Sequence, residues 1–524
     1  MRGIVVLALA CVAAAGRPAR AAEGEQLLRE KCAGCHEAGD GKTLSRIDDG
    51  RRTPEGWDMT VVRMTLLHGV QTTPAERAAL VKHLADTRGL APEEARPHRA
   101  VLERRPALLE TADDEDVGTL CGKCHSLART ALQRRTADDW RRLVHFHLAQ
   151  WPTLEYLGGI RDKDWWAIAS TRLPDRLGQL YPRDAEAWQR WRGHAAPDLA
   201  GTWRVAGHRP GAGDYAGTMK VTAKGGDRYD VALDLATPDG TRTQSRGEAV
   251  VYTGYEWRAE LAGDAGTVRQ VMALDDDGNG LTGRGFPVDN DALGTDLRAV
   301  RVRDGGHAIL AVVPRYVRAG RDATVAIHGT GLAGAPDFGP GVAVVRTVAA
   351  SPDTVRVVVR AGADAPDGPR DVAVGETRAP GAFTVFRRVD AVRVEPAFAI
   401  ARVGGNGKTP ALPAQLEAVG YLNGADGKPG TADDVRIGPM RAQWSVTNFN
   451  AAAAEARDAA FAGRIDANGL FHPSGAGPNP QRKFRTNNAG DLAVHAVVDD
   501  AGRKLAADGH LIVTVQRWND PPIL

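Results

Sequence analysis

The 524-residue sequence predicts a multidomain protein, a mainly α-helical N-terminal region followed by three antiparallel β domains. Three observations predict it. A chain this long exceeds what one hydrophobic core supports. Up to about residue 195, apolar residues recur at i, i+4 and i+7 behind helix-capping residues. After Asp198 the pattern changes to short alternating segments cut by Gly- and Asp-rich turns. Charged residues make up 25 % and hydrophobic ones 43 %, with both signs interspersed and a formal net charge of +2. That is an ordinary globular balance, and it offers no nucleic-acid surface.

Residues 1–21 read as a secretory signal. Arg2 precedes the apolar run Ile4 to Ala15, and Ala19-Arg20-Ala21 has the small-x-small form of a cleavage site. The run is too short to span a membrane, and no other stretch approaches that length. Cys11 follows Ala8-Leu9-Ala10, a poor and very early lipidation signal. A periplasmic address is expected.

Residues 22–195 carry the chemistry. Cys32-Ala33-Gly34-Cys35-His36 and Cys121-Gly122-Lys123-Cys124-His125 are both CxxCH sequences, the attachment pattern of c-type haem. Cys32, Cys35, Cys121 and Cys124 would add to haem vinyl groups. His36 and His125 would be held beneath the irons as axial ligands. A zinc site or a disulfide needs only the cysteine pairs, and does not explain a histidine in the same place twice. With Cys11 removed, every cysteine is committed to two covalently bound haems, and none is left for a disulfide.

A second repeat lies downstream of each motif. Met64 follows Arg52-Thr53-Pro54-Glu55-Gly56-Trp57, seven residues after the tryptophan, and His147 follows Arg135-Thr136-Ala137-Asp138-Asp139-Trp140 at the same spacing. Thr53 and Thr136 read as helix N-caps, with acids in the first turn and Pro54 at the first helical position. Trp57, Val61 and Met64 then share one helical face, as do Trp140, Val144 and His147. This delivers a thioether to one haem and an imidazole to the other, giving His36/Met64 and His125/His147 as iron ligands. Met59, His68 and His145 are the alternatives, and an open sixth position would make a ligand-binding haem.

Around the motifs, Gly24 to Lys31 reads as a lead-in helix, and Thr73-Pro74-Ala75-Glu76 opens a helix through Leu84 with Leu80, Val81 and Leu84 inward. Pro92 to Pro106, rich in proline and charge, reads as a linker to a second cytochrome unit. Trp151, Trp165, Trp166, Trp188 and Trp191 read as core.

Residues 196–304 predict an antiparallel barrel or sandwich, with strands such as Tyr229 to Leu233, Ala249 to Tyr252 and Val268 to Met272. Residues 305–388 predict an immunoglobulin-like sandwich, opened by Ala311-Val312-Val313-Pro314 and loosely similar in Val325 to Leu332 to the transcription-factor type, without implying DNA binding. Residues 389–524 predict a third, C-terminal immunoglobulin-like domain, opened by Val394-Glu395-Pro396 and closed by Leu492 to Val498 and Leu511 to Val515. Its Asp426 to Asp434 loop clusters carboxylates and glycines; calcium binding or a solvated turn are both open there.

A secreted dihaem cytochrome c domain followed by three β domains resembles the α subunit of quinohaemoprotein amine dehydrogenase across essentially the whole chain. The resemblance is carried by the CxxCH motifs at 32–36 and 121–125 and by the order and size of the β domains. It implies a heterotrimer with a propeller β subunit and a small γ subunit bearing a cysteine tryptophylquinone, where primary amines are oxidised. It implies that the haems of this chain pass the electrons to a soluble periplasmic acceptor, a cytochrome c or copper protein. It also implies one His/Met and one bis-His haem. Independently, a chain whose mature cysteines all bind haem cannot itself build a cysteine–tryptophan quinone, so no catalytic residue is assigned here. A stand-alone dihaem electron carrier on a binding scaffold and a dihaem peroxidase are the alternative functions.

Overall fold

The computed structural model describes residues 16–515 apart from 38–39, 41, 106–107, 113, 123–124, 151–163, 265 and 406–409. The signal sequence expected over 1–21 lies largely outside the described residues.

Helix α1 (Gly16–His36) is longer than the Gly24 to Lys31 helix expected and ends on the first motif. It crosses α3 (Pro74–Thr87) at Gly24, where a Cβ would come within 2.8 Å of His83. Only glycine permits that approach. The Thr73–Glu76 capping box starts α3, with Thr73 N–H donating to Glu76 at 2.8 Å. Leu80, Val81 and Leu84 are buried with Leu28, Trp57 and Val61 in one cluster.

A two-stranded ribbon joins the two units of the helical region, one around each CxxCH motif. Strand β1 (Gly50–Arg52) pairs antiparallel with β2 (Gln133–Arg135), with Gly50 opposite Arg135 and Arg52 opposite Gln133. Each strand leads into the helix that the spacing predicts. Thr53 caps α2 (Pro54–His68), accepting from the Gly56 N–H at 3.3 Å. Thr136 caps the later helix Ala137–Gln150, accepting from the Asp139 N–H at 3.1 Å. Trp57 and Trp140 are both buried.

The stretch read as a linker is a correction. Pro92 is the first residue of α4 (Pro92–Ala95), a 3₁₀ turn follows, and α5 spans Arg99–Leu102. Ala95 and Leu102 are buried in the core of the following β domain. Part of its charge is interior: Glu94 and Glu103 are buried. The second unit continues with α6 (Glu115–Cys121), α7 (Leu127–Ala131), α8 (Ala137–Gln150), α9 (Trp165–Ser170), α10 (Arg172–Leu180) and α11 (Glu186–Trp191). Trp165 and Trp188 are core; Trp151 lies outside the described residues.

Strands β3 (Gly201–Arg209), β4 (Gly213–Gly225), β5 (Arg228–Ala236), β6 (Arg242–Tyr252), β7 (Glu256–Gly263), β8 (Gly266–Leu274), β9 (Gly280–Pro287) and β10 (Thr295–Arg301) close into an antiparallel barrel, β10 pairing with both β3 and β9. Alternate residues fill its interior, among them Trp203, Met219, Val251, Trp257 and Leu261. The Trp257 indole N–H donates to Gln270 at 3.1 Å inside it. The barrel is locked to the helical region. Thr253, in the β6–β7 turn, donates its N–H to Asp86 and its hydroxyl to the Ala85 carbonyl, and its own carbonyl accepts from the Trp191 indole. Arg258 bridges Glu55 and Glu256, both at 2.6 Å.

Next, a sheet containing Asp322–Thr330 and Thr354–Ala361 packs on one containing Gly368–Val374 and Thr377–Phe386, around Val325, Ile327, Val357, Phe338 and Phe383. The last region packs three sheets around Leu416, Phe471, Leu492, Val494 and Leu511. Antiparallel pairing dominates; Tyr316–Arg318 and Phe398–Arg402 each add one short parallel pair. In the Asp426 to Asp434 loop the carboxylates are taken by their own surroundings. Thr431 donates to Asp433, Gly430 N–H donates to Asp434, and Arg393 pairs with Asp434. No metal-binding carboxylate group is formed there or elsewhere among the described residues.

Candidate haem sites

Cys32 and Cys35 sit three residues apart near the end of α1, a separation that puts both thiols on one helical face. Cys32 and Ala33 pack against the cluster that holds Trp57 and Val61. Met64 is the next member of that stripe along α2, half-buried one turn before the left-handed Gly69 cap. Its alternative Met59 is half-buried too, and His68 is exposed at the helix end.

In the second unit, Cys121 ends α6 and packs with Val117, Trp140 and Leu143. Cys124 lies outside the described residues. Burial raises the thiol of Cys32, with Cys35 adding to it, and pushes Cys121 up to about 11. A neutral thioether to a haem vinyl carbon suits a buried sulfur.

The histidines are held in one consistent way. His36 Nδ1 lies 2.9 Å from the Ser45 carbonyl, His125 Nδ1 2.8 Å from the Ser126 carbonyl, and His147 Nδ1 2.7 Å from the Leu143 carbonyl. A carbonyl oxygen only accepts, so each Nδ1 carries the proton and each Nε2 lone pair is left free. That is the tautomer an iron ligand requires, with its ring orientation already set. Burial lowers the pKa of His125, and the charges of Arg129 and His147 push the same way, so the two imidazoles are within electrostatic reach of one another. Burial also lowers His147. His145, the alternative, is exposed and meets Trp166 edge-on at 5.4 Å. The donor set fits two c-type haems.

One residue behind these sites was not singled out from the sequence. Glu94 accepts from Arg51 through both oxygens at 2.8 Å and from Arg134 at 2.9 Å, all three buried. Burial would raise its carboxyl, but Arg51 and Arg134 hold it below the ordinary range. It therefore ties equivalent arginines of the two units to one carboxylate. The available signal was the doubled arginine of Arg51-Arg52-Thr53 and Arg134-Arg135-Thr136.

Four protein-family models match the chain in succession. Residues 22–188 match "Quinohemoprotein amine dehydrogenase A, alpha subunit, haem binding". Residues 196–302, 307–387 and 392–523 match domains II, III and IV of the same alpha subunit. Among curated proteins, no sequence matches. Of solved structures, a de novo designed fluorescence-activating β barrel is 20 % identical over 20 % of this chain and 93 % of its own, with a TM-score of 0.17. Mouse clustered PcdhgC3 EC1-3 is 12 % identical over 55 % of this chain and 77 % of its own, with a TM-score of 0.17. A Bacteroides ovatus SGBP-B from a mixed-linkage glucan utilization locus is 10 % identical over 42 % of this chain and 51 % of its own, with a TM-score of 0.19. Likenesses at these scores carry no argument.

Proposed function

The chain belongs to the quinohemoprotein amine dehydrogenase alpha-subunit family, and so to an amine dehydrogenase oxidoreductase complex; from this premise we propose that it is the electron-transfer subunit of that complex. Cys32, Cys35, His36 and Met64 would hold one haem c, and Cys121, Cys124, His125 and His147 the other. When bound, each haem supplies reversible one-electron storage at its iron. The observation that carries the reading is the common setting of His36, His125 and His147, each with Nδ1 tied to a backbone carbonyl and Nε2 free.

The rest follows from what this chain lacks and what surrounds it. Its cysteines outside the leader all belong to the CxxCH motifs, so the cysteine tryptophylquinone that oxidises the amine sits on a separate small subunit. A propeller subunit completes the heterotrimer, and a soluble cytochrome c or copper protein takes the electrons. The domain division at 196, 305 and 389 belongs to the same proposal, with the three β regions as the binding frame. The address is periplasmic, through the signal over 1–21. No helix among the described residues is long and apolar enough to cross a membrane.

The test is the intact mass of the chain purified from its native host, together with the identity of the chains that come with it. The mature chain should exceed its polypeptide mass by two haems and bring a small cysteine-rich partner. Cys32→Ala should lose one haem and keep the other. One haem in the wild-type chain, or a lone monomer under gentle conditions, overturns the proposal.

A further inference from the structure

Between the two units lies a group of arginines that the protein itself does not neutralise. Counted from Trp57 and Trp140, Arg46 is equivalent to Arg129, Arg52 to Arg135, and Arg63 to Phe146. Asp139, buried, pairs with Arg135 and with Arg46. Among the described residues, no carboxylate pairs with Arg52, Arg63 or Arg129. Arg52 is 5 % exposed, its guanidinium lies 4.3 Å over the Trp57 ring, and its Nη1 is buried without a hydrogen-bond partner. Arg63 Nε and the Trp140 indole Nε1 are buried and unpartnered too. A folded protein rarely leaves a buried guanidinium donor unmet, because the cost falls on a charged group.

The placement of these donors points to their acceptor. Arg63 belongs to the first unit, beside Met64, yet it lies 5.2 Å over the ring of Phe146, the neighbour of His147. Trp140 stands on the same helix as His147, and Arg129 on the short helix that follows His125. The unmet donors of Arg63 and Trp140 therefore lie at the helix of the proposed second haem, and that of Arg52 lies at the ribbon between the units. A haem brings two carboxylates of its own, and guanidinium forks match carboxylates in shape as well as in charge. We propose that Arg52, Arg63, Arg129 and Trp140 are the anchor for haem propionates at the seam, with Arg63 reaching from the first unit to the propionates of the second haem. This rests on the dihaem reading. Arg63 is then a positioning residue that makes one unit's helix part of the other unit's site.

The test uses the two-haem protein. Arg63→Gln and Arg129→Gln should each keep two covalent haems and the sulfur-to-iron absorption band of the first haem. Each should make the second haem about tenfold harder to reduce, a midpoint ~59 mV lower for a one-electron couple. Each should also shift the propionate bending band in resonance Raman spectra, and Arg63→Lys should recover most of the potential. Unmoved potentials and an unmoved propionate band in both Gln variants overturn the anchor while leaving the dihaem reading intact. Potentials that instead follow sulfate concentration, with the propionate band unmoved, assign the cluster to a free anion and also overturn it. A wild-type chain without covalent haem overturns the function on which the anchor rests.

Discussion

In the second unit Arg135 is paired with the buried carboxylate of Asp139; at the equivalent position of the first unit stands Gly56, and Arg52 has no such partner among the described residues. A Cβ at Gly56 would meet the Arg52 Cβ at 3.0 Å, so the arginine folds over the space where that side chain would be. The tryptophans differ in the reverse sense. The Trp57 indole N–H donates to the Arg88 carbonyl at 2.9 Å, while that of Trp140 is unpartnered. The Arg88 carbonyl also accepts from the Arg52 N–H, and in the second unit the Tyr181 carbonyl accepts from the Arg135 N–H in the same way, yet the Trp140 indole does not reach it. The repeated stretch thus builds the same strand, cap and helix twice. Single-residue differences within the repeat, Gly56 against Asp139 among them, decide which polar groups the protein itself satisfies.

The comparison is broken hardest at the proposed sixth ligands. Met64→Ala should abolish the near-infrared sulfur-to-iron band of the oxidised protein and lower one midpoint potential, because a thioether favours ferrous iron more than an imidazole does. His147→Ala should leave that band intact and let the other haem bind carbon monoxide. A band that survives Met64→Ala would move the ligand to Met59.

The next effect strikes both units together. Glu94→Gln strands two buried arginines, and removing one partner of a buried ion pair costs about 3–5 kcal/mol. Thermal unfolding should show both units losing stability in a single transition. If only one unit softens, Glu94 is not their common tie.

The tryptophan pair gives a smaller and sharper contrast. Trp57→Phe should cost about 1 kcal/mol for its lost hydrogen bond and move neither potential. Trp140→Phe should instead move the potential of the second haem. Equal behaviour in denaturant unfolding and redox titration would erase the distinction between the two.

The smallest effect lies outside both units and serves as their control. His208 bonds Asp214 through Nδ1 at 2.7 Å and Glu417 through Nε2 at 3.0 Å, joining the barrel to the C-terminal region. Burial would depress its pKa, but the two carboxylates carry it up to about 9. A raised folded pKa means the stabilisation is complete below the ordinary histidine value of about 6.5 and lost as pH rises through about 9. Stability between these limits should fall in the wild type and not in His208→Gln, with the haem spectra unchanged in both.

The local chemistry of this chain was legible because it is written locally. Thr53 and Thr136 cap the helices they announce, and the i, i+4, i+7 spacing gives the buried tryptophans. The alternation after Asp198 gave strands, but pattern alone does not say that Thr295–Arg301 returns to pair with Gly201–Arg209 and closes a barrel. The segment from Pro92 misled for a physical reason. Proline and charge usually mark solvated chain, and here proline starts a helix while Glu94 is neutralised by arginines about forty residues away on either side. The arginine seam escaped notice likewise: in a chain with 25 % charged residues, an arginine looks like surface until its neighbours in space are known.

Thr253 fastens the turn of the barrel to both α3 and α11, so the haem-binding domain rides on no tether. A flexibly hung cytochrome must search for its donor, and its turnover slows as the medium thickens. If the chain passes electrons as proposed, each leaves from a fixed point on a rigid frame. Its transit time answers to distance and driving force, and glycerol in the solvent should leave it unchanged.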